Sequence, residues 1–249
     1  TLKYQNLRLN ANLELAEGKE LRDGVVMMMH GLLGHNRMEI QDTAQQALLQ
    51  SGQSSLAINL SLGIDNRHGF YDCFKPHVHV QEDSIGEIKA WVAWLRGQGV
   101  KNITLMAHSR GANQAMVYAV EHIDPEVKLL VFLAPGTVMD SKFLFKGRFG
   151  KDFLAILDRA NHLISQNRGR EIMMNTDFMY CPQAPVSAQS FKSYYDDKET
   201  FRNFPSFLPR IKVPALIITG SEDELQPDIA KHVKPYVDGK KIQLKEVGG

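Results

Sequence analysis

The sequence has no long hydrophobic run. Its longest apolar stretches, residues 25–29 and 129–134, are about a third of the ~20 residues that a membrane-spanning helix needs. It lacks an excess of either charge: 29 Lys plus Arg stand against 28 Asp plus Glu, a net charge of +1, and no basic run stands out. Such a chain has no global field to hold a polyanion, so nucleic acid is not an expected partner. Cysteine is scarce. Cys73 and Cys181 form one disulfide or remain two thiols, and neither stands in C-x-x-C or zinc-finger spacing; free or merely structural thiols are the expectation. Repeats and low-complexity tracts are missing too. No signal peptide is visible, and the sequence begins at Thr1 without Met, which leaves the compartment open between cytoplasm and periplasm.

What is present is the balance of an ordinary globular protein, 43% hydrophobic and 23% charged over 249 residues, enough for one large α/β core. Five short runs, 25–29, 56–60, 103–107, 129–134 and 215–219, are apolar on both faces, as strands of a covered parallel sheet should be. A last strand is expected near 242–247. Between the runs the period is helical. Ile40, Ala44, Ala47 and Leu48 share a face before Gly52, and Ile85, Ile88, Trp91, Val92 and Leu95 make a second stripe. A third helix is expected from just after Ser109 to about His122. This alternation predicts right-handed crossovers and a doubly wound, mostly parallel sheet with helices on both faces. Ahead of it, residues 7–15 alternate, predicting an antiparallel edge strand paired with a short first strand.

Residues 137–210 break the rhythm. They show no run resembling a buried strand and hold 12 of the 21 aromatic rings. A structureless loop of that length is improbable. We expect a mostly helical cap inserted into a core made of 1–136 and 211–249, with some rings fixing it in place and others lining an apolar pocket.

The chemistry centres on ITLMAHSRG, residues 103–111. A serine on a sharp turn from strand to helix is forced into strained backbone geometry, with its hydroxyl exposed above the sheet. Small residues two before and two after, Ala107 and Gly111, let neighbouring backbone approach. Alone the pentapeptide is weak evidence, but between a predicted strand and a predicted helix it is strong, and Ser109 is the expected nucleophile. His30-Gly31-Leu32-Leu33-Gly34 follows the strand at 25–29. A flexible turn there aims a backbone N–H at a developing oxyanion, so the expected donors are the amides of Leu32 and Arg110, with His30, Gly31, His108 and Gly111 in support.

An acid is expected after the strand at 215–219, in GSEDELQP. Asp223 is the choice, with Glu222 and Glu224 as weaker neighbours and Asp140 as an alternative position. The base is harder to find. His232 falls in a presumed surface helix. His108 diverges from its neighbour on a tight elbow, and His30 belongs to the oxyanion turn. The histidine is therefore expected a few residues beyond Gly249, and a chain lacking it is expected to be nearly inert, since only binding and the oxyanion donors remain. His68, Cys73, His77 and His79 fall within twelve residues, but their spacing matches no closed zinc motif. A loop bordering the active site is the expectation there, with no metal. Arg110 is expected in a salt bridge, the alternative being contact with an anionic group of the substrate.

The order His30-Gly31, then Ala107-His108-Ser109-Arg110-Gly111, then Gly220-Ser221-Glu222-Asp223 resembles the α/β-hydrolase superfamily over essentially the whole chain. Residues 137–210 sit where that superfamily carries its cap or lid. LAINLSLGIDNRHGFYDC together with AHSRGAN is similar to a bacterial branch of it. The resemblance implies nucleophile Ser109, acid Asp223, oxyanion donors Leu32 and Arg110, and no cofactor. It also implies hydrolysis of a small-molecule carboxylic ester or thioester through an acyl-enzyme, a substrate with an apolar acyl group being one form of it. The same fold hosts haloperoxidases and C–C hydrolases, and a hydrolase-shaped binding protein without turnover is the alternative of a different class.

Overall fold

The computed structural model describes residues 1–136, 141–196, 203–226 and 228–248, with backbone alone at 141–144. Two short strands open the chain, β1 (Leu2–Tyr4) and β2 (Leu7–Glu14). The apolar runs then give β3 (Val25–Met29), β4 (Ser55–Asn59), β5 (Ile103–His108) and β6 (Val127–Leu133). Helices α1 (Glu39–Gln50), α2 (Asp83–Gly97) and α3 (Arg110–Glu121) connect them. Between residues 137 and 210 lie α4 (Ser141–Phe149), α5 (Leu154–Ser165), β7 (Ile172–Phe178), β8 (Cys181–Ser187), α6 (Ala188–Tyr195) and α7 (Phe204–Phe207). β9 (Ala215–Gly220), α8 (Ile229–Val233) and β10 (Ile242–Val247) complete the described chain.

Eight strands form one sheet in the order β1-β2-β4-β3-β5-β6-β9-β10. β2 is antiparallel to both β1 and β4, and every pairing from β4 to β10 is parallel. The alternating strand at 7–15 is therefore second in the sheet, with β1 outside it. All five residues of β3 and all five of β4 are buried, because crossover helices cover both faces. α2 turns Ile85, Ile88, Trp91, Val92 and Leu95 inward, as its periodicity predicts. Each such side chain contributes about 1.5–3 kcal/mol by leaving water.

α1 differs from its apolar stripe. Ile40 is 36% exposed, whereas Gln41 and Gln45 are 3% and 1% exposed. Gln41 donates to the Met29 carbonyl at 3.1 Å, and Gln45 donates to Ser55 Oγ at 3.0 Å. Amide hydrogen bonds to the strands, not apolar contact alone, set this helix's rotation.

The second departure is β7 and β8, an antiparallel hairpin in a stretch where no strand was expected. It is stitched to the loop before α2. The His77 amide donates to the Pro185 carbonyl and the Ser187 amide donates to the His77 carbonyl, both at 2.8 Å. Cys73 and Cys181 are joined in a disulfide, which corrects the expectation of thiols. Of the rings in 145–207, some are packed inside and others border a cavity. Phe153, Phe178 and Phe191 are fully buried among their neighbours, and Phe204 packs edge-on against Phe132 of β6 at 4.9 Å.

Candidate active site

Because β3, β5 and β9 run parallel, the loops that follow them leave the same edge of the sheet. Ser109 stands between β5 and α3 with φ +52° and ψ −126°, a conformation outside the wells open to most L-residues. Its amide donates to the Leu133 carbonyl at 2.9 Å, and Ser109 lines a cavity of about 300 Å³. The two glycines flanking this bend have steric reasons to be glycine. A Cβ on Gly111 would collide with the His30 carbonyl oxygen, and one on Gly31 would lie 3.1 Å from Ser109 Cβ. The 30–34 turn is thus pressed directly against the elbow. It closes through a Gly34 amide to Gly31 carbonyl bond of 3.2 Å, with Leu33 at φ +52°. Leu32 and Arg110, whose amides are the expected oxyanion donors, both line the cavity beside Ser109.

The acids separate clearly. Asp223 is half-buried and lines the cavity; Glu222 and Glu224 are exposed and do not. Asp223 Oδ1 accepts from the Leu225 and Gln226 amides at 3.0 Å each, which fixes the carboxylate. His108 lines the same cavity, and its Nδ1 is buried without a hydrogen-bond partner. Burial holds its pKa below the ordinary histidine value, and the nearby Asp223 charge partly offsets this. His232 is exposed on α8, as expected of a surface residue. Asp140, the alternative acid, lies outside the described residues.

Tyr180, Tyr194, Tyr195, Phe145 and Phe149 form much of the cavity wall, together with Met179. Arg110 Nη1 donates to Gln81 Oε1 at 2.9 Å, and Gln81 Nε2 donates to the Ser193 carbonyl at 2.5 Å. Its guanidinium also lies 5.8 Å from the Tyr194 ring centroid. The side chain next to the nucleophile thus ties the elbow to α6. Asn113 escaped sequence reasoning: it exchanges two hydrogen bonds with Gly136, at 3.0 and 2.8 Å, and holds the loop after β6. The Asn of HSRGAN was its only signal.

The loop histidines do not converge with the cysteine. Cys73 is bonded to Cys181, and His68 is exposed. His77 and His79 are buried, neither ring nitrogen of His77 has a partner, and His77 stacks on Tyr71 at 4.2 Å. Among the described residues no group of three His, Cys, Asp or Glu could hold a metal ion. Nor is any described helix long and apolar enough to cross a membrane.

The chain has the α/β-hydrolase fold, shared with esterases and monoglyceride lipases of known structure. Est1E from Butyrivibrio proteoclasticus is similar over 100% of this chain and 87% of its own, with TM-score 0.66 and 17% identity. A second structure of that protein contains ferulic acid. The monoacylglycerol lipase of Paleococcus ferrophilus matches over 98% of this chain and 90% of its own, with TM-score 0.64 and 17% identity. The monoglyceride lipase of Saccharomyces cerevisiae, a soluble variant in complex with a substrate analogue, matches over 100% and 86%, with TM-score 0.64 and 15% identity. No family model and no curated protein matches the sequence.

Proposed function

We propose that this protein is a serine hydrolase that cleaves a carboxylic ester or thioester through an acyl-enzyme. The observation carrying the reading is Ser109, held at positive φ on a strand-to-helix bend and opening into a cavity that Asp223 also lines. A histidine base takes the Ser109 proton as Oγ attacks the carbonyl. Asp223 orients that imidazole and stabilises its charged form, while the Leu32 and Arg110 amides receive the oxyanion. As the tetrahedral species collapses, the histidine returns the proton to the departing alcohol or thiol. Water then repeats the sequence, releasing the acid and restoring Ser109. No cofactor enters these steps.

Residues 137–210 act as a cap that contributes the aromatic wall. That wall suits an apolar acyl chain, and the esterases and lipases of the same fold support ester over amide. The test is labelling of the full-length protein with a fluorophosphonate. One adduct at Ser109, absent from Ser109→Ala, is expected. Nitrophenyl esters of increasing acyl length should differ in rate. Absence of labelling would turn the reading towards a hydrolase-shaped binding protein, and equal rates across the ester panel would count against an acyl-reading cavity.

A further inference from the structure

Arg67 is a buried cation, 4% exposed, with no carboxylate within salt-bridge distance among the described residues. Isolated charge in an interior is costly unless every donor is used. Here three of the five acceptors that the donors face are backbone carbonyls. Nε donates to the Leu60 carbonyl at 2.8 Å and Nη1 to the Gly69 carbonyl at 2.7 Å. Nη2 faces three acceptors: the Gly34 carbonyl at 2.7 Å, Asn59 Oδ1 at 2.8 Å and His30 Nε2 at 3.1 Å. The Arg67 carbonyl is gripped in turn by the side-chain amides of Asn59, at 2.5 Å, and Asn10. One planar fork therefore fastens the end of the 30–34 turn, the residues just past β4 and its own loop to one another.

The His30 ring completes the clamp, and its tautomer follows from geometry. The Leu60 amide can only donate, and it points at His30 Nε2 at 3.1 Å. Nε2 is therefore the unprotonated nitrogen, and Arg67 Nη2 lies against it at 3.1 Å. The proton sits on Nδ1, which donates to the Gly31 carbonyl at 2.8 Å. Burial, and then the neighbouring Arg67 charge, push His30 down to about 3, so the ring stays neutral. The turn thus receives two bonds from this unit, one at Gly31 and one at Gly34. They bracket Leu32 and the strained Leu33, whose carbonyl accepts from the Tyr71 amide at 3.1 Å.

We propose that Arg67 is a positioning residue for the oxyanion site, holding the 30–34 turn through Gly34 and His30 so that the Leu32 amide stays aimed at the substrate carbonyl. The proposal rests on the hydrolase reading above, and it assigns to Arg67 no contact with substrate. A guanidinium suits the site because its Nε, Nη1 and Nη2 together face five acceptors. A lysine ammonium, a point charge on a flexible stem, reaches one or two of them.

The test compares full-length wild type with Arg67→Met and Arg67→Lys at a temperature where circular dichroism finds all three folded. Two readouts are taken: amide hydrogen exchange in peptides covering residues 30–36, and kcat and KM for a nitrophenyl ester. In Arg67→Met, exchange across the turn should rise at least about tenfold while β5 and α3 peptides stay protected. The kcat should fall on the order of 10²-fold, comparable to loss of one oxyanion donor, with KM within about threefold. Arg67→Lys should recover only a minor part. Unchanged exchange in the turn overturns the proposal, as does faster exchange with unaltered kcat, or full recovery by lysine. A wild type without turnover would sink the hydrolase reading and the link from turn to rate; the exchange contrast would then still judge the clamp by itself.

Discussion

Strain at Ser109 can be separated from chemistry at Ser109. Backbone at φ +52° and ψ −126° costs an L-residue about 1–3 kcal/mol. Alanine keeps that cost and removes only the hydroxyl. Glycine removes the cost but adds freedom to the unfolded chain. Ser109→Ala should therefore unfold within about 0.5 kcal/mol of wild type, while Ser109→Gly should be more stable by about 1 kcal/mol. Urea denaturation midpoints at equal m-values check this, and a glycine variant no more stable than the alanine one contradicts the strain. This bend was legible because its signature, a serine flanked by small residues between strand and helix, fits within five residues, even though Gly111 is held to glycine by the distant His30 carbonyl. Arg67 was not legible. Its partners His30, Gly34 and Asn59 are 37, 33 and 8 residues away in sequence, and nothing in NRHG distinguishes a buried arginine from an exposed one.

Among the elements, the central strands could be read because burial on both faces leaves uninterrupted apolar runs. The β7–β8 hairpin could not. IMMNTDF and CPQAPVS contain Asn, Asp, Gln and two prolines, which local preference places outside strands. Tertiary partners override that preference: the bonds to His77, the rings packed around Phe178, and the Cys73–Cys181 bridge. The bridge spans 108 residues of sequence, so its removal frees a large loop in the unfolded chain. Replacing both cysteines by alanine should cost about 2–4 kcal/mol in urea unfolding. Limited proteolysis should find new cuts near Phe74 and Tyr180, which flank the bridge and are exposed. Because Met179 and Tyr180 line the cavity beside Ser109, the same variant should raise KM for long-chain esters more than for acetate. An unchanged proteolytic pattern would mean that packing alone holds the hairpin.

For the molecule as a whole, buried neutral histidines set how stability responds to acid. Burial is the leading cause at each: His30 and His79 are pushed down to about 3, and His77 to about 4. In the unfolded chain each returns to about 6.5. Their stabilisation is therefore complete above pH 6.5 and is lost as pH falls through 4 to about 3, because over that range the unfolded state takes up the protons. Glu87 works the other way. Burial raises it to about 7 despite two hydrogen bonds from Ser61, so its contribution is fully present below about 4.5 and disappears as pH rises through 7. Between pH 4.5 and 6.5 these three histidines outweigh Glu87, so their combined effect is a net uptake of protons on unfolding. Unfolding free energy at pH 5.5 should therefore lie on the order of 2 kcal/mol below that at pH 7. His77→Phe preserves a ring stacked on Tyr71 and deletes one titrating group, so it should flatten the slope by about one proton. Denaturation series from pH 4.5 to 7.5 measure both quantities. A wild-type profile flat across that interval would mean that these rings are not held dry, and the packing of the loop against the hairpin would need to be redrawn.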